Sequence, residues 1–189
     1  MRLMRKLWMT AALLLAASAA TAGDTEDTIN LFKHAGASAD FFHHCYGYAV
    51  FPTIGKGAFV VGGAHGNGKV FARGKYIGDT SLTQVSVGFQ AGGEGYSQIV
   101  FFEDKRAEDE FTNGNFEFDA GVQVVAITAA AGGDAGTQGV NGGASGGKKD
   151  AATTGNYYKG MAVFTIVKGG ALYQASVAGQ KYSFKPAGS

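Results

Sequence analysis

The sequence predicts a mainly β (α+β) fold: an antiparallel barrel- or sandwich-like sheet with an N-terminal helix and a short mid-chain helix. Segments rich in aromatic and β-branched residues recur from Tyr48 onward at the spacing of hairpins, which indicates seven or eight strands. The 31 glycines follow no G-X-Y repeat and run through those segments, so collagen and full disorder are poor fits. Helical spacing is confined to one stretch before the first strand and one near mid-chain.

The first 22 residues have the pattern of a secretory signal peptide. Arg2, Arg5 and Lys6 precede a short apolar run, and a small-residue A-x-A site ends at Ala22. The run is shorter than the roughly 20 apolar residues that a membrane-spanning helix needs. We therefore expect an exported protein, periplasmic or secreted, in which residues 23–189 form a single domain.

Composition limits the classes of partner. Three of the 16 Lys and Arg residues lie in the signal peptide, and the remaining 13 against 15 Asp and Glu give a formal charge of −2. Nucleic-acid-binding proteins usually carry net or clustered positive charge, so nucleic acid is not an expected partner. Cys45 is the only cysteine, which excludes a disulfide within the chain.

The first elements follow from periodicity and from breaking residues. Residues 24–45 carry apolar side chains near helical spacing, which predicts one or two short helices. From Tyr48 the pattern is extended, and Pro52 is expected to end the first strand. We predict the second strand over 57–64, a tight turn at the sequence H-G-N-G (65–68), and a return strand over 69–79.

The rest of the chain alternates between strand and loop signals. Residues 81–93 alternate strictly, and residues 96–102 follow them across a glycine cluster, which predicts that the two segments form a hairpin. Residues 103–113 are charged and helix-forming, with Gly114 as the stop, and extended structure resumes over 116–131. Residues 132–156 contain nine glycines in 25 residues and predict a flexible loop, followed by two more strands over 158–169 and 171–184.

Gly63 to Val70 reads G-A-H-G-N-G-K-V, one residue away from the nucleotide-binding pattern G-x-x-x-x-G-K-[ST]. Val70 stands where a Ser or Thr hydroxyl would bind magnesium. The following residues favour a strand, whereas phosphate binding needs the amide groups at the start of a helix. Nucleotide binding is therefore not expected.

The sequence contains no motif for catalysis or metal binding. His34, His43 and His44 lack the i,i+4 spacing of zinc ligands, and neither H-E-x-x-H nor G-x-S-x-G occurs. The acidic pairs near mid-chain lie on the charged helix, where a solvated face is expected. We expect a protein without enzymatic activity, cofactor or metal.

Basic residues cluster around the glycine-rich strands. Lys56, Lys69, Arg73 and Lys75 fall within 20 residues, with no acidic residue until Asp79 and with aromatic residues between them. Lys69, Phe71 and Arg73 share one parity and so one face of an extended strand. A basic face with aromatic residues suits an anionic lipid surface. A solvated sheet face is the alternative interpretation.

Residues 46–71 (YGYAVFPTIGKGAFVVGGAHGNGKVF) and 80–104 (TSLTQVSVGFQAGGEGYSQIVFFED) resemble the SYLF lipid-binding domain family, and the resemblance covers residues 28–185. The matching motifs are Ala49 to Pro52, Gly55 to Gly63, Gly66 to Gly68, Gly88 to Gly93 and Ile99 to Phe102.

The resemblance implies a non-enzymatic domain that binds phospholipid through basic residues, here Lys33 of the first helix and Lys56. Lys69, Arg73 and Lys75 join this lipid-binding set on spacing alone. We expect a cell-envelope protein that associates peripherally with anionic phospholipid head groups at a membrane surface. The alternatives are an envelope structural or protein-interaction module with an unknown protein partner, and a carrier of a small apolar ligand inside the barrel.

Overall fold

The computed structural model describes residues 23–55, 63–85, 95–118, 124–128, 156–167 and 179–189. The helical segments in these ranges are α1 (23–34), α2 (Gly36–Ala39), α3 (Phe41–His44) and α4 (Lys105–Phe111). The strands are β1 (Gly47–Gly55), β2 (Gly63–Ala72), β3 (Lys75–Val85), β4 (Tyr96–Phe102), β5 (Phe116–Glu117), β6 (Val124–Thr128), β7 (Met161–Val167) and β8 (Gln180–Pro186). The predicted signal peptide, Lys56, and the predicted flexible loop except its last residue lie outside the described residues.

The strands form one sheet in the order β5-β8-β3-β2-β1-β4-β7-β6, which curls into a half-barrel. The prediction of a mainly β fold with an N-terminal helix and a short mid-chain helix is confirmed. The prediction of antiparallel strands is wrong for one pair, because β6 and β7 run parallel. Parallel strands cannot be joined by a tight turn, and β6 ends at Thr128 well before β7 begins at Met161.

The sheet has two faces with separate apolar clusters. The interior face, which the curl encloses, carries buried side chains such as Phe51, Val100 and Tyr182 that pack against Phe111 of α4. On the outer face, α1 packs Phe32 into a second cluster with residues of β1, β4, β6 and β7. The helices thus cover one part of the outer face, and the part over β2, β3 and β8 carries exposed polar side chains.

The predicted hairpin between residues 81–93 and 96–102 is wrong. β3 pairs with β2 and β8, whereas β4 pairs with β1 and β7. The local sequence signals predict both segments as strands, but such signals cannot identify a strand's neighbour, because pairing depends on contacts distant in sequence. The adjacent ends of β3 and β4 meet across the interior instead, where the Tyr96 hydroxyl donates to Gln84 Oε1 at 3.3 Å.

The predicted turn at 65–68 is also wrong, because β2 runs through these residues without a break. The turn lies at Arg73-Gly74, between the paired residues Ala72 and Lys75. Both turn residues have positive φ, 49° and 75°, as a two-residue type I′ hairpin requires. The predicted return strand over 69–79 is therefore divided by this turn between the end of β2 and the start of β3. Both parts are extended, so the P-loop-like sequence leads into no helix.

Two smaller boundaries differ from the predictions. Pro52 does not end β1, which continues to Gly55 with a register shift between Val50 and Thr53. A bulge accommodates a proline because the missing N–H is not needed there for the ladder. The front of the chain forms three helical segments and not one or two.

The mid-chain helix forms as its sequence predicts. Asp104 precedes α4 with extended backbone, and its carboxylate accepts a hydrogen bond from the Ala107 amide at 2.8 Å. This is an N-terminal cap, which satisfies one of the amides that the first helical turn leaves unpaired. Gly114, with φ of 90°, follows the end of the helix.

Candidate functional site

A row of aromatic side chains crosses the outer face from α3 to β3. Phe42, Tyr48, Phe71 and Tyr76 follow one another with ring centroids 5.3, 5.2 and 6.0 Å apart. The row forms because Tyr48, Phe71 and Tyr76 are register neighbours on adjacent strands, which places their side chains on one face. Tyr76, at the end of the row, is 42% exposed.

Two of the predicted lysines stand at the ends of this aromatic row. The Lys33 ammonium of α1 lies 5.7 Å from the centre of the Phe42 ring, and the Lys69 ammonium lies 5.4 Å from that of Tyr76. These distances suit cation–π attraction. The fold thus brings two of the five sequence-predicted residues to one feature, although Lys33 and Lys69 are 36 positions apart in the sequence.

Arg73 and Lys75 lie at the β2–β3 turn next to this row. The Arg73 guanidinium stands 5.0 Å from the centre of the Tyr46 ring, and the Arg73 amide donates to the Tyr46 carbonyl at 2.8 Å. Arg73 occupies a left-handed backbone position that Asn or Gly adopts more readily. Lys75 begins β3 and is exposed.

Lys69 also lines a groove on the outer face, which no sequence pattern predicts. The groove has a volume of about 440 Å³ and lies between the start of α1 and strands β1, β2 and β3. Asp79 faces Lys69 in register across β2 and β3, and its Oδ1 accepts a hydrogen bond from the Tyr76 hydroxyl at 2.8 Å. Desolvation, together with the hydrogen bond to Asp79 and its negative charge, raises the pKa of Tyr76 to about 12.

Two further lysines, which sequence reasoning missed, join the outer face. Lys185 and Lys181 of β8 stand in register with Asp79 and Thr83 of β3. Both are exposed. They lie about a hundred residues from Lys69 in the chain, and only the pairing of β8 with β3 brings them near it. In the sequence these two lysines alternate with Tyr182, which indicates that they share one face of a strand. That pattern does not identify the neighbouring strand.

The described part of the chain shows no group of three or more His, Cys, Asp or Glu side chains that could hold a metal ion. His43 and His44 are exposed with ring centroids 6.5 Å apart, and His65 lies 3.4 Å from the Thr83 hydroxyl. Burial raises the pKa of the Cys45 thiol, which disfavours the reactive thiolate. No helix among the described residues has the length and apolar character that crossing a bilayer requires.

The fold and site together define a mainly β half-barrel protein whose outer face carries cations on an aromatic row. The chain is 31% identical over 158 residues to Beta cell expansion factor A of Aeromonas veronii. The match covers 82% of this chain and 51% of that relative, so the chain spans about half the length of the curated protein that it resembles. No protein-family model matches the chain.

Proposed function

We propose that this protein is a non-catalytic phospholipid-binding protein of the cell envelope, exported and peripheral to the membrane. The observation that carries the proposal is the aromatic row on the outer face with its cations. Lys33 and Lys69 lie over rings of the row, and Arg73 lies over the ring of the adjacent Tyr46. Aromatic rings with cationic neighbours favour the membrane interface, where the rings enter the head-group region and the cations attract anionic lipid.

The strained position of Arg73 supports a role beyond the fold. A non-glycine residue in the left-handed region costs of order 1 kcal/mol, and Asn at this turn would avoid much of that cost. Such strain tends to persist where a side chain serves a function. Lys69 has Asp79 in register beside it, so we assign most of the attraction for anionic lipid to Arg73 and Lys75.

The similarity of residues 46–71 and 80–104 to the SYLF lipid-binding domain family supports the same proposal. The interior of the described sheet offers less support for the carrier alternative. Gln98, Gln180 and Tyr182 hydrogen-bond to one another there, and rings pack around them. The proposal therefore places lipid on the outer face.

The test is co-sedimentation of the full chain with phosphatidylglycerol vesicles at low and high salt. We expect binding at low salt that weakens at high salt, because exposed charges are screened within about 10 Å at 0.1 M ionic strength. The double substitution Arg73→Asn with Lys75→Gln should weaken binding roughly 25-fold, since each basic residue near an anionic surface contributes about 1 kcal/mol. Asn at position 73 keeps the turn geometry.

The matched control is Lys105→Gln with Arg106→Gln. It removes the same two charges, but from α4, where Lys105 and Arg106 already pair with Asp109 and Glu110. We expect it to bind vesicles nearly as the unmodified chain does. Equal losses in the two double variants would show that binding depends only on net charge and would contradict the assigned site. No binding of the unmodified chain at low salt would refute the proposal and favour a protein-interaction module.

A further inference from the structure

The groove beside Lys69 contains charges of both signs. Its lining residues include Lys69, Asp24 and Asp79, together with the exposed Asn67. Asp24 lies at the start of α1, and the other three lie on β2 and β3 of the outer face. The groove therefore joins the helix to the polar, uncovered part of the sheet.

The balance of these charges restricts the chemistry of a ligand. One ammonium and two carboxylates sum to a single negative charge, so a phosphate alone would meet net repulsion. A simple cation would be attracted by the two carboxylates, but the Lys69 ammonium would offset part of that attraction. A zwitterion avoids both penalties, because each of its charges can contact the opposite charge in the groove.

Lys69 and Asp79 stand close enough on adjacent strands for one short zwitterion to contact both. Lys69 and Asp79 are direct cross-strand neighbours, whose Cβ atoms in such pairs lie about 4.5–5.5 Å apart. An aminoalkyl phosphate has its phosphate and ammonium joined by two methylene groups, which gives a separation of similar size. Tyr76 lies beside both residues, with its ring near the Lys69 ammonium and its hydroxyl on Asp79. Its ring can also attract a ligand ammonium.

We propose that this groove binds a zwitterionic aminoalkyl phosphate, the chemistry of a phosphoethanolamine head group, with the phosphate on Lys69 and the ammonium on Asp79. The inference rests on the proposed function in placing the outer face at a membrane. It adds a class of head group that the attraction of Arg73 and Lys75 for anionic lipid does not select. Asn67 supplies an amide donor to the phosphate, and Asp24 adds negative potential on the helix side.

The test follows backbone amide shifts by NMR in the isotope-labelled full chain. Glycerophosphoethanolamine should shift the amides of Asn67, Lys69 and Asp79, whereas glycerol phosphate, which carries only negative charge, and ethanolamine, which carries only positive charge, should shift them at least fivefold less at equal concentration. Asp79→Asn should weaken glycerophosphoethanolamine binding about fivefold or more, since one charge contact is lost. Asn at this position can still accept the Tyr76 hydrogen bond.

The matched control is Asp109→Asn on α4, which removes the same charge away from the groove and should leave the shifts unchanged. Equal shifts with glycerol phosphate, no shifts with glycerophosphoethanolamine, or full binding by Asp79→Asn would each overturn the inference.

Vesicles separate this inference from the proposed function and identify the source of the head group. Enhanced binding to vesicles that contain phosphatidylethanolamine, lost in Asp79→Asn, supports a lipid source. Amide shifts with the soluble compound but no such enhancement support a free aminoalkyl phosphate as the ligand. Shifts without any binding to phosphatidylglycerol vesicles sustain the inference and refute the proposed function. Salt-sensitive binding to phosphatidylglycerol vesicles without amide shifts sustains the proposed function and refutes the inference.

Discussion

At the scale of single residues, two positions of β2 require glycine because β1 packs closely against them, and not because the chain turns there. A Cβ on Gly68 would lie 2.5 Å from the Val50 carbonyl oxygen and 2.6 Å from the Phe51 ring. A Cβ on Gly66 would lie 2.6 Å from the Ile54 side chain. The two glycines of the H-G-N-G sequence therefore allow β1 to pack closely against β2. Glycine suits both tight turns and close approaches between strands, so the sequence pattern does not distinguish these two structures.

We expect Gly68→Ala to lower the free energy of unfolding by about 1–3 kcal/mol, because the backbone carbonyl of Val50 cannot move away cheaply. Urea denaturation of the full chain measures the change. Gly36→Ala is the matched control, since nothing lies within 4 Å of its Cβ position and α2 favours alanine over glycine. It should be neutral or stabilising by up to about 1 kcal/mol. Unchanged stability in Gly68→Ala would contradict the close-packing account.

At the scale of elements, α4 combines an exposed charged face with one buried carboxyl. Lys105 and Arg106 pair with Asp109 and Glu110 one turn later, in exposed contacts that contribute little to stability. Glu108, in contrast, is only 9% exposed. Burial first, and then the negative charge of Asp109, raises the pKa of Glu108 above its ordinary value of 4.5, while Lys105 opposes the shift.

The raised pKa of Glu108 predicts a pH-dependent contribution to stability. The folded state holds this proton more tightly than the unfolded state, so the contribution is fully present below pH 4.5 and is lost as the pH rises through the folded-state pKa. Glu108→Gln should therefore raise the free energy of unfolding at pH 7, with a smaller gain at pH 4. Thermal unfolding at both values measures this.

The matched control for that experiment is Glu110→Gln, which removes an exposed carboxylate from the same helix. It should lower stability slightly at pH 7, because it removes the contact with Arg106. If Glu108→Gln destabilises the protein equally at both pH values, the side chain contributes through a contact of its carboxylate, and the burial argument is wrong.

At the scale of the whole molecule, a buried polar cluster holds the two sides of the half-barrel together. Gln98 of β4 donates through Nε2 to Gln180 Oε1 at 3.1 Å and to the Tyr182 hydroxyl at 2.7 Å, both on β8. Gln180 Nε2 donates in turn to Gln84 Oε1 at 3.2 Å. Three strands separate β4 from β8 in the sheet order, so these bonds cross the enclosed interior. Burial raises the pKa of Tyr182 well above its usual range, which keeps its hydroxyl protonated as a donor.

We expect Gln98→Leu to lower the free energy of unfolding by about 2–3 kcal/mol, because it leaves the partner groups on β8 buried without this donor. The variant Gln98→Leu with Gln180→Leu should cost less than the sum of the two single changes, since the residues share one network. Denaturant unfolding of all three variants measures the coupling, and strict additivity would argue against a shared network.

Thr165→Val is the matched control. Thr165 is fully buried and in register with Gln98, but its hydroxyl has no hydrogen-bond partner among the described residues. Removing this hydroxyl should cost little or stabilise the protein. A loss as large as that of Gln98→Leu would show that any polar change in the interior is destabilising, whatever its hydrogen bonds.

The local elements could be predicted from the sequence because their signals lie within a few residues. Alternating residues indicated the strands, and Asp104 and Gly114 marked the ends of α4. Lys69 and Phe71 were correctly placed on one face, since side chains alternate along any strand. The pattern around 65–68 failed because glycine allows both a tight turn and a closely packed strand.

The sequence by itself thus determined a mainly β chain with a capped mid-chain helix and basic residues interspersed with aromatic ones. Tertiary structure alone decided which strands are neighbours, and through them the aromatic row, the register of Lys69 with Asp79 and of Asp79 with Lys185, and the glutamine cluster that links β4 to β8. The physical reason is that alternation fixes the face of a side chain, whereas its neighbours follow from strand pairing between segments up to about a hundred residues apart.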